Sequence, residues 1–394
     1  MPDDSVDTDS QGLSHLGLVG IPFRVVPDLE FARIWADRAG LRSDVEALLR
    51  NFGRAGPSTL HPVWGWYGAG KTHVLYHMLG RCRDLARKIG AAYTEIGSSL
   101  TSFVDLYRQF ALDFLNSQPL FSDVFAEVWS DGFRQRRQDF VRAVCPGLPD
   151  FQVAMNYLNS GLDVHKETVM KYLCASKVPL TELRTVGIGS RIETDDQALE
   201  AFASFVRLVS NSRRMVRVVW FVDELQNLTA LSPRAKARVQ LGLEQVFNKC
   251  PNNLSLIIAY SGRQQDRLST LVSGAFVSRV GAQRRISIPV MEPPDTIDFV
   301  RDLLSAFRPA GQTPPNAFFP FEDQTVPAVV AFMVDQEWYL KPRSVMECFR
   351  AILEEAEPLL ARREIRDIEP NFALSVLRSL AADNGVVQSL KRID

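Results

Sequence analysis

Hydrophobic positions along the chain alternate between two patterns. Short runs dense in β-branched and aromatic residues are typical of buried strands, and they occur at Leu60–Trp64, Ala91–Ile96, Val216–Val222, Leu254–Tyr260 and Arg284–Val290. Longer segments repeat apolar residues at helical spacing, as at Thr72–Lys88, Asp195–Ser210, Arg234–Asn248 and Gln264–Val272. Strands that alternate with helices predict an α/β fold built on a parallel sheet.

Two departures from this alternation divide the chain. Between about 118 and 200 the pattern is helical but irregular, with apolar anchors such as Trp129 and Tyr157. This stretch is too long for a loop, so we expect a helical insertion. Met291-Glu-Pro-Pro ends the alternation, and the remainder of the chain is helical apart from a loop at 308–323. We expect a disordered acidic N-terminus over 1–14, an α/β domain over 15–292 and an α-helical domain over 293–394.

The loop after the first predicted strand has the phosphate-binding P-loop pattern. Residues Gly65–Thr72 read Gly-Trp-Tyr-Gly-Ala-Gly-Lys-Thr, which matches G-x-x-x-x-G-K-[ST]. Glycines let successive backbone N–H groups point at phosphate oxygens, and the following helix adds its positive N-terminus. We expect Lys71 to contact the β- and γ-phosphates and the Thr72 hydroxyl to bind magnesium.

A pair of acidic residues completes this prediction. The run Val216–Val222 is apolar except for Arg217, and Asp223 and Glu224 follow it directly. The carboxyl end of a buried parallel strand is where such sheets bind ligands. Asp223 is therefore predicted to hold Mg²⁺, mostly through water, and Glu224 to activate or orient the attacking water. Together the two motifs predict a protein that binds and hydrolyses a nucleoside triphosphate.

Composition limits the alternatives. The chain has 394 residues and a formal net charge of −1, so any contact with DNA must come from a local basic patch. No stretch is long and apolar enough to span a membrane, and the acidic start is not a signal peptide. The five cysteines are scattered without C-x-x-C spacing, which argues against zinc and disulfides. We therefore expect a cytoplasmic protein without membrane partners.

Two minor features have ordinary explanations. A basic cluster is formed by Arg134, Arg136, Arg137 and Arg142. It could follow nucleic-acid phosphates, but a charged face on an amphipathic helix is the commoner cause. His73 and His77 are one helical turn apart, yet no third metal ligand is in view, so we interpret them as structural histidines.

The order of these parts resembles an AAA+ P-loop ATPase, nearest to the origin-recognition-initiator-like clade that includes transposon and BREX-type phage-defence ATPases. Asp37-Arg38-Ala-Gly-Leu41 resembles the helix that precedes the P-loop in that clade, and Ile21-Pro-Phe23 the segment that packs near adenine. Val178–Ile188 and Gly70-Lys-Thr-His73 are similar to segments of the BREX-type proteins. The resemblance implies an AAA+ α/β domain over 15–292 and an α-helical AAA+ lid over 293–394.

Three further site residues follow from the resemblance. Ser261, after the strand Leu254–Tyr260, takes the place of a residue that positions the attacking water, with Tyr260 as the alternative. Arg279 resembles the arginine that serves a neighbouring subunit's nucleotide, with Arg284 and Arg285 as competitors. Arg343, in Tyr339-Leu-Lys-Pro-Arg343, resembles the sensor-2 arginine of the lid. The full predicted ATP-contacting set is Gly65, Gly68, Ala69, Gly70, Lys71, Thr72, His73, Ile21 and Phe23.

The resemblance also bears on partners. It implies a homo-oligomer in the ATP state that acts on DNA or on partner proteins from the same operon. Initiators of this clade usually add a C-terminal winged helix, but only roughly 35 residues follow the predicted lid helix Val345–Leu360, too few for such a domain. The alternative is an ATP-bound signalling or scaffold switch with negligible hydrolysis that recruits a separate effector.

Overall fold

The computed structural model describes residues 13, 16–36, 38–85, 88–116, 121–160, 165–211, 215–262, 268–278 and 285–382. The chain divides into two compact units. The sheet unit comprises Asp44–Trp64 and His77–Ser287. The P-loop unit comprises Met1–Ser43, Gly65–Tyr76 and Ile288–Asp394.

A five-stranded sheet in the order β2-β3-β4-β1-β5 organises the sheet unit. Its β2–β3 and β3–β4 pairs are parallel, with Glu95 opposite Asp223 and Val222 opposite Ile258. The predicted α/β class is therefore confirmed, and all five predicted strands are present. The strands are β1 (Thr59–Gly65), β2 (Ile89–Glu95), β3 (Arg217–Asp223), β4 (Leu254–Ser261) and β5 (Ile286–Ile288).

Burial explains why the central strands are so apolar. Every residue of β3 and β4 is buried, because helices cover the faces of a parallel sheet. Trp220 packs against Phe110 and Phe202, with ring centroids 5.4 and 4.9 Å away. Arg217, a charged residue of β3, donates hydrogen bonds to the Arg54 carbonyl and to Ser255 Oγ, which satisfies its buried guanidinium.

Helices of the sheet unit follow the predicted periodicity. The predicted helix Asp195–Ser210 is confirmed to the residue, and a capping box of Thr194 and Gln197 explains its sharp start. Of the predicted helix Gln264–Val272, 264–267 lie outside the described residues. The helices up to β5 are α1 (Ala39–Phe52), α2 (Lys71–Arg83), α3 (Phe103–Asn116), α4 (Phe121–Val144), α5 (Pro149–Ser160), α6 (Lys166–Leu173), α7 (Leu180–Thr185), α8 (Asp195–Ser210), α9 (Pro233–Lys249), α10 (Leu268–Leu271) and α11 (Gly274–Val277).

The stretch predicted as an insertion contains α4 to α7. Trp129 of α4 is fully buried, and its indole N–H donates to Asn156 Oδ1 at 2.9 Å. Tyr107 of α3 donates to the Leu173 carbonyl at 2.6 Å. These helices therefore share the apolar core of the sheet unit.

The P-loop unit has a separate core made by helices that follow β5. They are α12 (Pro293–Ala306), α13 (Thr325–Asp335), α14 (Pro342–Ala361) and α15 (Pro370–Ala382). Phe23, from the N-terminal segment, lies in this core, so both ends of the described chain contribute to one hydrophobic cluster. Among the described residues no helix is long and apolar enough to cross a membrane.

Candidate nucleotide-binding site

The P-loop backbone has the geometry that its glycines predict. Gly68 and Gly70 have φ angles of +77° and +98°, a region that residues with a Cβ rarely adopt. The Ala69 N–H donates to the Trp66 carbonyl at 3.1 Å, which closes the turn, and α2 begins at Lys71. Gly65 is needed for space, because a Cβ there would lie 3.0 Å from the Ile288 carbonyl oxygen. The loop therefore ends at a helix N-terminus, where anions bind.

Lys71 lies against this loop. Its ammonium donates a hydrogen bond to the Trp66 carbonyl at 3.0 Å, and the residue is only 5 % exposed. Thr72 follows it in the first turn of α2 and is half-buried. An ammonium that contacts a neutral carbonyl can exchange that contact for a phosphate, which carries more negative charge.

Arg38 stabilises the loop from the N-terminal segment. Its guanidinium donates to the Ala69 carbonyl at 3.2 Å and to the Pro289 carbonyl at 3.0 Å. Arg38 has a left-handed backbone, with φ of +59°, which is unusual for a residue with a long side chain. The motif placed Arg38 before the P-loop but gave no sign of these contacts.

His73 contacts the same N-terminal segment. Its Nε2 is 3.0 Å from the Ile34 carbonyl oxygen, and its ring lies 5.8 Å from Phe31 and 6.4 Å from Trp35, measured between centroids. The described residues contain no group of three or more His, Cys, Asp or Glu side chains that could hold a metal ion. The structure thus places His73 in a packing role, and a nucleotide contact of His73 stays a prediction.

Arg343 and the P-loop are in direct contact. The Arg343 N–H donates to the Gly68 carbonyl at 3.3 Å, and its guanidinium carbon lies 4.8 Å from the Tyr67 ring centroid. Trp66 stacks on Tyr339, with centroids 6.5 Å apart. Trp66 and Tyr67 occupy variable positions of the P-loop pattern, so the motif could not identify them as contacts of the predicted sensor-2 turn.

Electrostatics around Arg343 involve a neighbouring carboxyl group. Glu347 is one helical turn further along α14. Burial raises the pKa of Glu347, and the positive charges of Arg343 and Lys341 oppose that shift only in part.

In the sheet unit, Asp223 is the last residue of β3 and Glu224 follows it directly, at the strand end where the sequence predicted them. Asp223 is fully buried and accepts hydrogen bonds from the Tyr93 hydroxyl at 3.1 Å and from the Glu224 N–H at 2.7 Å. Glu224 has left-handed φ and ψ angles of +55° and +37° and precedes a 3₁₀ helix, Leu225–Thr229. Strained backbone of this kind concentrates at functional sites.

Gln226 connects Glu224 to the end of β4. Its side-chain Nε2 donates to Glu224 Oε2, and its Oε1 accepts from the Ser261 N–H at 2.9 Å. Ser261 is buried, and the adjacent Gly262 carbonyl accepts from the Trp64 indole N–H at 3.2 Å. The structure therefore joins Glu224 to Ser261 through a residue that the sequence did not single out. The only signal was its position, two residues after the acidic pair.

Other predicted site residues have different environments. Phe23 is completely buried, with its ring centroid 6.4 Å from that of Phe321 and 5.5 Å from that of Phe349, and half-buried Ile21 packs on the same cluster. A role for Ile21 and Phe23 at adenine stays a prediction. Arg279 and its competitor Arg284 lie outside the described residues.

The cysteines are unsuited to nucleophilic chemistry. All five lie among the described residues, are buried and take part in no disulfide: Cys82, Cys145, Cys174, Cys250 and Cys348. Burial raises the pKa of Cys145 to about 11 and the pKa values of Cys174 and Cys250 to about 12. Thiolates are the reactive form, so burial holds these thiols in their less reactive, protonated form.

Comparison with solved structures gives the same fold. The chain is similar to the ORC2 protein of Aeropyrum pernix in its ADPNP–ADP complexes, with a TM-score of 0.52 and 12% identity over 88% of this chain and 69% of that chain. The ADP form of that protein gives a TM-score of 0.50 and 11% identity over 85% and 67%. For Cdc6p from Pyrobaculum aerophilum the TM-score is 0.48 and the identity 12%, over 93% of this chain and 70% of that chain.

No protein-family model matches the chain, and the search of curated proteins gives no match. The structural similarity therefore defines the class by its fold. It is an α/β P-loop fold with a helical C-terminal region, which the chain shares with the ORC2 protein of Aeropyrum pernix.

Proposed function

We propose that this protein binds ATP and hydrolyses it to ADP and phosphate. The observation that carries the proposal is the P-loop itself. Gly68 and Gly70 have φ angles of +77° and +98°, and Lys71 begins the helix that follows, which supports a phosphate-binding turn. The similar ORC2 protein was solved in ADPNP–ADP and ADP forms, which supports a nucleotide as the ligand.

Each site residue has a defined chemical role in this proposal. Lys71 exchanges its contact with the Trp66 carbonyl for one with the β- and γ-phosphates. Glu224 orients a water molecule and accepts its proton during attack on the γ-phosphate. Ser261 helps to position that water, and Arg343 leaves the Tyr67 ring to neutralise charge on the γ-phosphate.

Mg²⁺ would be held by Thr72 and Asp223, together with phosphates and water. A hydroxyl and a carboxylate are hard oxygen donors, which fit this ion, and Mg²⁺ sites in nucleotide-binding proteins use few protein ligands. When bound, the ion neutralises charge on the phosphate oxygens.

The proposed output is nucleotide-dependent assembly. ATP favours a homo-oligomer in which Arg279 of one subunit serves the nucleotide of the next, and hydrolysis resets it. The assembly acts on DNA or on partner proteins from the same operon, in a bacterial phage-defence or mobile-element system. The resemblance of Val178–Ile188 and of the P-loop to such proteins supports this setting.

Two substitutions test the enzymatic proposal. Lys71→Ala removes the charge that binds the phosphates, so calorimetry should show loss of ATP binding. Glu224→Gln keeps size and hydrogen bonding but removes the base, so it should bind ATP with normal affinity and release phosphate at least about 100-fold more slowly.

Lys88→Ala, an exposed lysine between α2 and β2, is the matched control for Lys71→Ala and should bind ATP normally. Undiminished phosphate release by Glu224→Gln would show that Glu224 is not the base. ATP binding without measurable hydrolysis in the wild type, tested also at high protein concentration, would favour the scaffold switch instead.

A further inference from the structure

We infer that Gln226 is a positioning residue for Glu224. It holds the carboxyl group of Glu224 at a fixed place relative to Ser261, at the end of β4. This inference rests on the proposed function, because it assigns Gln226 a role only if Glu224 activates water. The observation is that the oxygen and the nitrogen of the Gln226 carboxamide each make a hydrogen bond. Nε2 donates to Glu224 Oε2 and Oε1 accepts from the Ser261 N–H.

Donor and acceptor chemistry determines how this amide is oriented. A backbone N–H can only donate, so Oε1 of Gln226 must face Ser261. The NH₂ group is then directed at Glu224, and its Nε2 donates to Glu224 Oε2. The contact with Ser261 therefore selects the amide orientation in which a donor faces the carboxyl group of Glu224.

Hydrogen bonds hold the turn from Asp223 to Asn227 in place. The Glu224 N–H donates to Asp223 Oδ1 at 2.7 Å, and the Asn227 N–H donates to the Glu224 carbonyl at 2.9 Å. The Asn227 side chain donates to the Ile96 carbonyl at 2.9 Å, which ties the turn to the end of β2. Left-handed backbone at a residue with a Cβ persists only where the surroundings determine it, and these contacts provide that constraint.

The arrangement links two predicted water-positioning groups. Ser261 ends β4 and Glu224 follows β3, and β3 and β4 are neighbours in the sheet. Gln226 joins the two strand ends by side-chain hydrogen bonds, so movement of Ser261 is transmitted to the carboxylate of Glu224. A base that is displaced by even about 1 Å loses much of its efficiency, so Gln226 should affect turnover much more than ATP affinity.

Two substitutions at Gln226 separate its two hydrogen bonds. Gln226→Ala removes both. Gln226→Glu is nearly isosteric and keeps an acceptor for the Ser261 N–H, but it replaces the donor with a second negative charge facing Glu224. Gln197→Ala is the control, because Gln197 also accepts from backbone N–H groups in the sheet unit, at the start of α8.

Three measurements are made on the full chain: kcat, the ATP dissociation constant by calorimetry, and hydrogen exchange of the Ser261 amide without nucleotide. Both Gln226 variants should lower kcat about 10- to 100-fold, the range for residues that orient a functional ligand, and leave ATP affinity within about threefold. The Ser261 amide should exchange faster in Gln226→Ala and stay protected in Gln226→Glu. Gln197→Ala should match the wild type in all three.

The outcomes distinguish this inference from the proposed function. Normal kcat in both Gln226 variants, with Glu224→Gln inactive, would overturn the positioning role and leave the ATPase intact. Normal kcat in Gln226→Glu alone would show that donation to Glu224 is unimportant, which also overturns it. If Glu224→Gln is itself active, the proposed function fails first. Should Gln226→Ala not fold, the isosteric Gln226→Glu still decides the question.

Discussion

At the scale of single residues, several positions of the proposed site have backbone angles that most side chains disfavour. Gly68 and Gly70 have positive φ in the P-loop, and Glu224 has positive φ after β3. The two glycines adopt these angles without steric cost, whereas at Glu224 the turn must be held by neighbouring hydrogen bonds. Substitutions at these positions should therefore affect the site before they affect the rest of the fold.

Gly70→Ala tests this at the P-loop. At φ of +98° an added Cβ is strained, which costs about 1–3 kcal/mol, or the loop relaxes and its N–H groups no longer converge on phosphate. ATP affinity by calorimetry should fall at least about tenfold. Gly80→Ala is the matched control in the helix that follows the loop, where a Cβ meets nothing within 4 Å, and it should stabilise the protein by about 0.4–1 kcal/mol without changing ATP affinity. If Gly70→Ala bound ATP as tightly as Gly80→Ala, the loop conformation would not be what recognises phosphate.

At the scale of elements, one carboxylate joins α8 to α9. Glu200 of α8 accepts from Arg207 of the same helix and from Lys249 of α9, the latter at 2.7 Å. Burial alone would raise the pKa of Glu200, but the hydrogen bonds and positive charges of Arg207 and Lys249 outweigh it and lower the pKa. The ionised form therefore stabilises the packing of these two helices.

Glu200→Gln should lower the free energy of unfolding by about 1–3 kcal/mol at pH 7, as expected for a lost hydrogen bond to charged groups. Because folding lowers the pKa of Glu200, the stabilisation by its ionised form is fully present at a pH above the ordinary glutamate pKa of about 4.3. This stabilisation is lost as the pH falls through the lower pKa that Glu200 has in the folded protein. Denaturant unfolding of both proteins at pH 7 and at successively lower pH would measure the difference.

Glu167→Gln is the control, since Glu167 and Lys171 form a solvent-exposed pair on α6 that should contribute nothing measurable. If the difference in unfolding free energy between wild type and Glu200→Gln stayed constant down to acidic pH, the charge of Glu200 would not be the cause of its stabilising effect.

At the scale of the whole molecule, the proposed activity depends on assembly. An arginine supplied by a neighbouring subunit is worth about 10³–10⁵ in rate in other P-loop proteins. Specific ATPase activity should therefore rise with protein concentration. Arg279→Ala should bind ATP normally, hydrolyse poorly and inhibit wild-type subunits when the two are mixed.

Arg343→Ala should behave differently, because Arg343 contacts the P-loop of its own chain. Its loss should weaken ATP binding, and mixing with wild type should simply dilute the activity. Flat specific activity across a wide dilution series, with normal hydrolysis by Arg279→Ala, would exclude the assembly model.

Much of the fold followed from local pattern. The strands were predictable because a strand buried on both faces must be apolar along its whole length, as β3 and β4 are. The P-loop and the acidic pair were recognisable because their chemistry needs particular residue types at fixed spacing along one segment. The sequence by itself therefore determined the class of fold, the phosphate loop, and the position of Asp223 and Glu224 at a strand end.

Contacts between residues distant in sequence were decided only by the tertiary structure. Tyr67 faces Arg343, and Gln226 reaches Ser261, although each pair is widely separated along the chain. Neither Tyr67 nor Gln226 belongs to a pattern of its own, and nothing in their local spacing encodes a partner. Packing brings the segments together, and only then can a ring or an amide select the group that satisfies it.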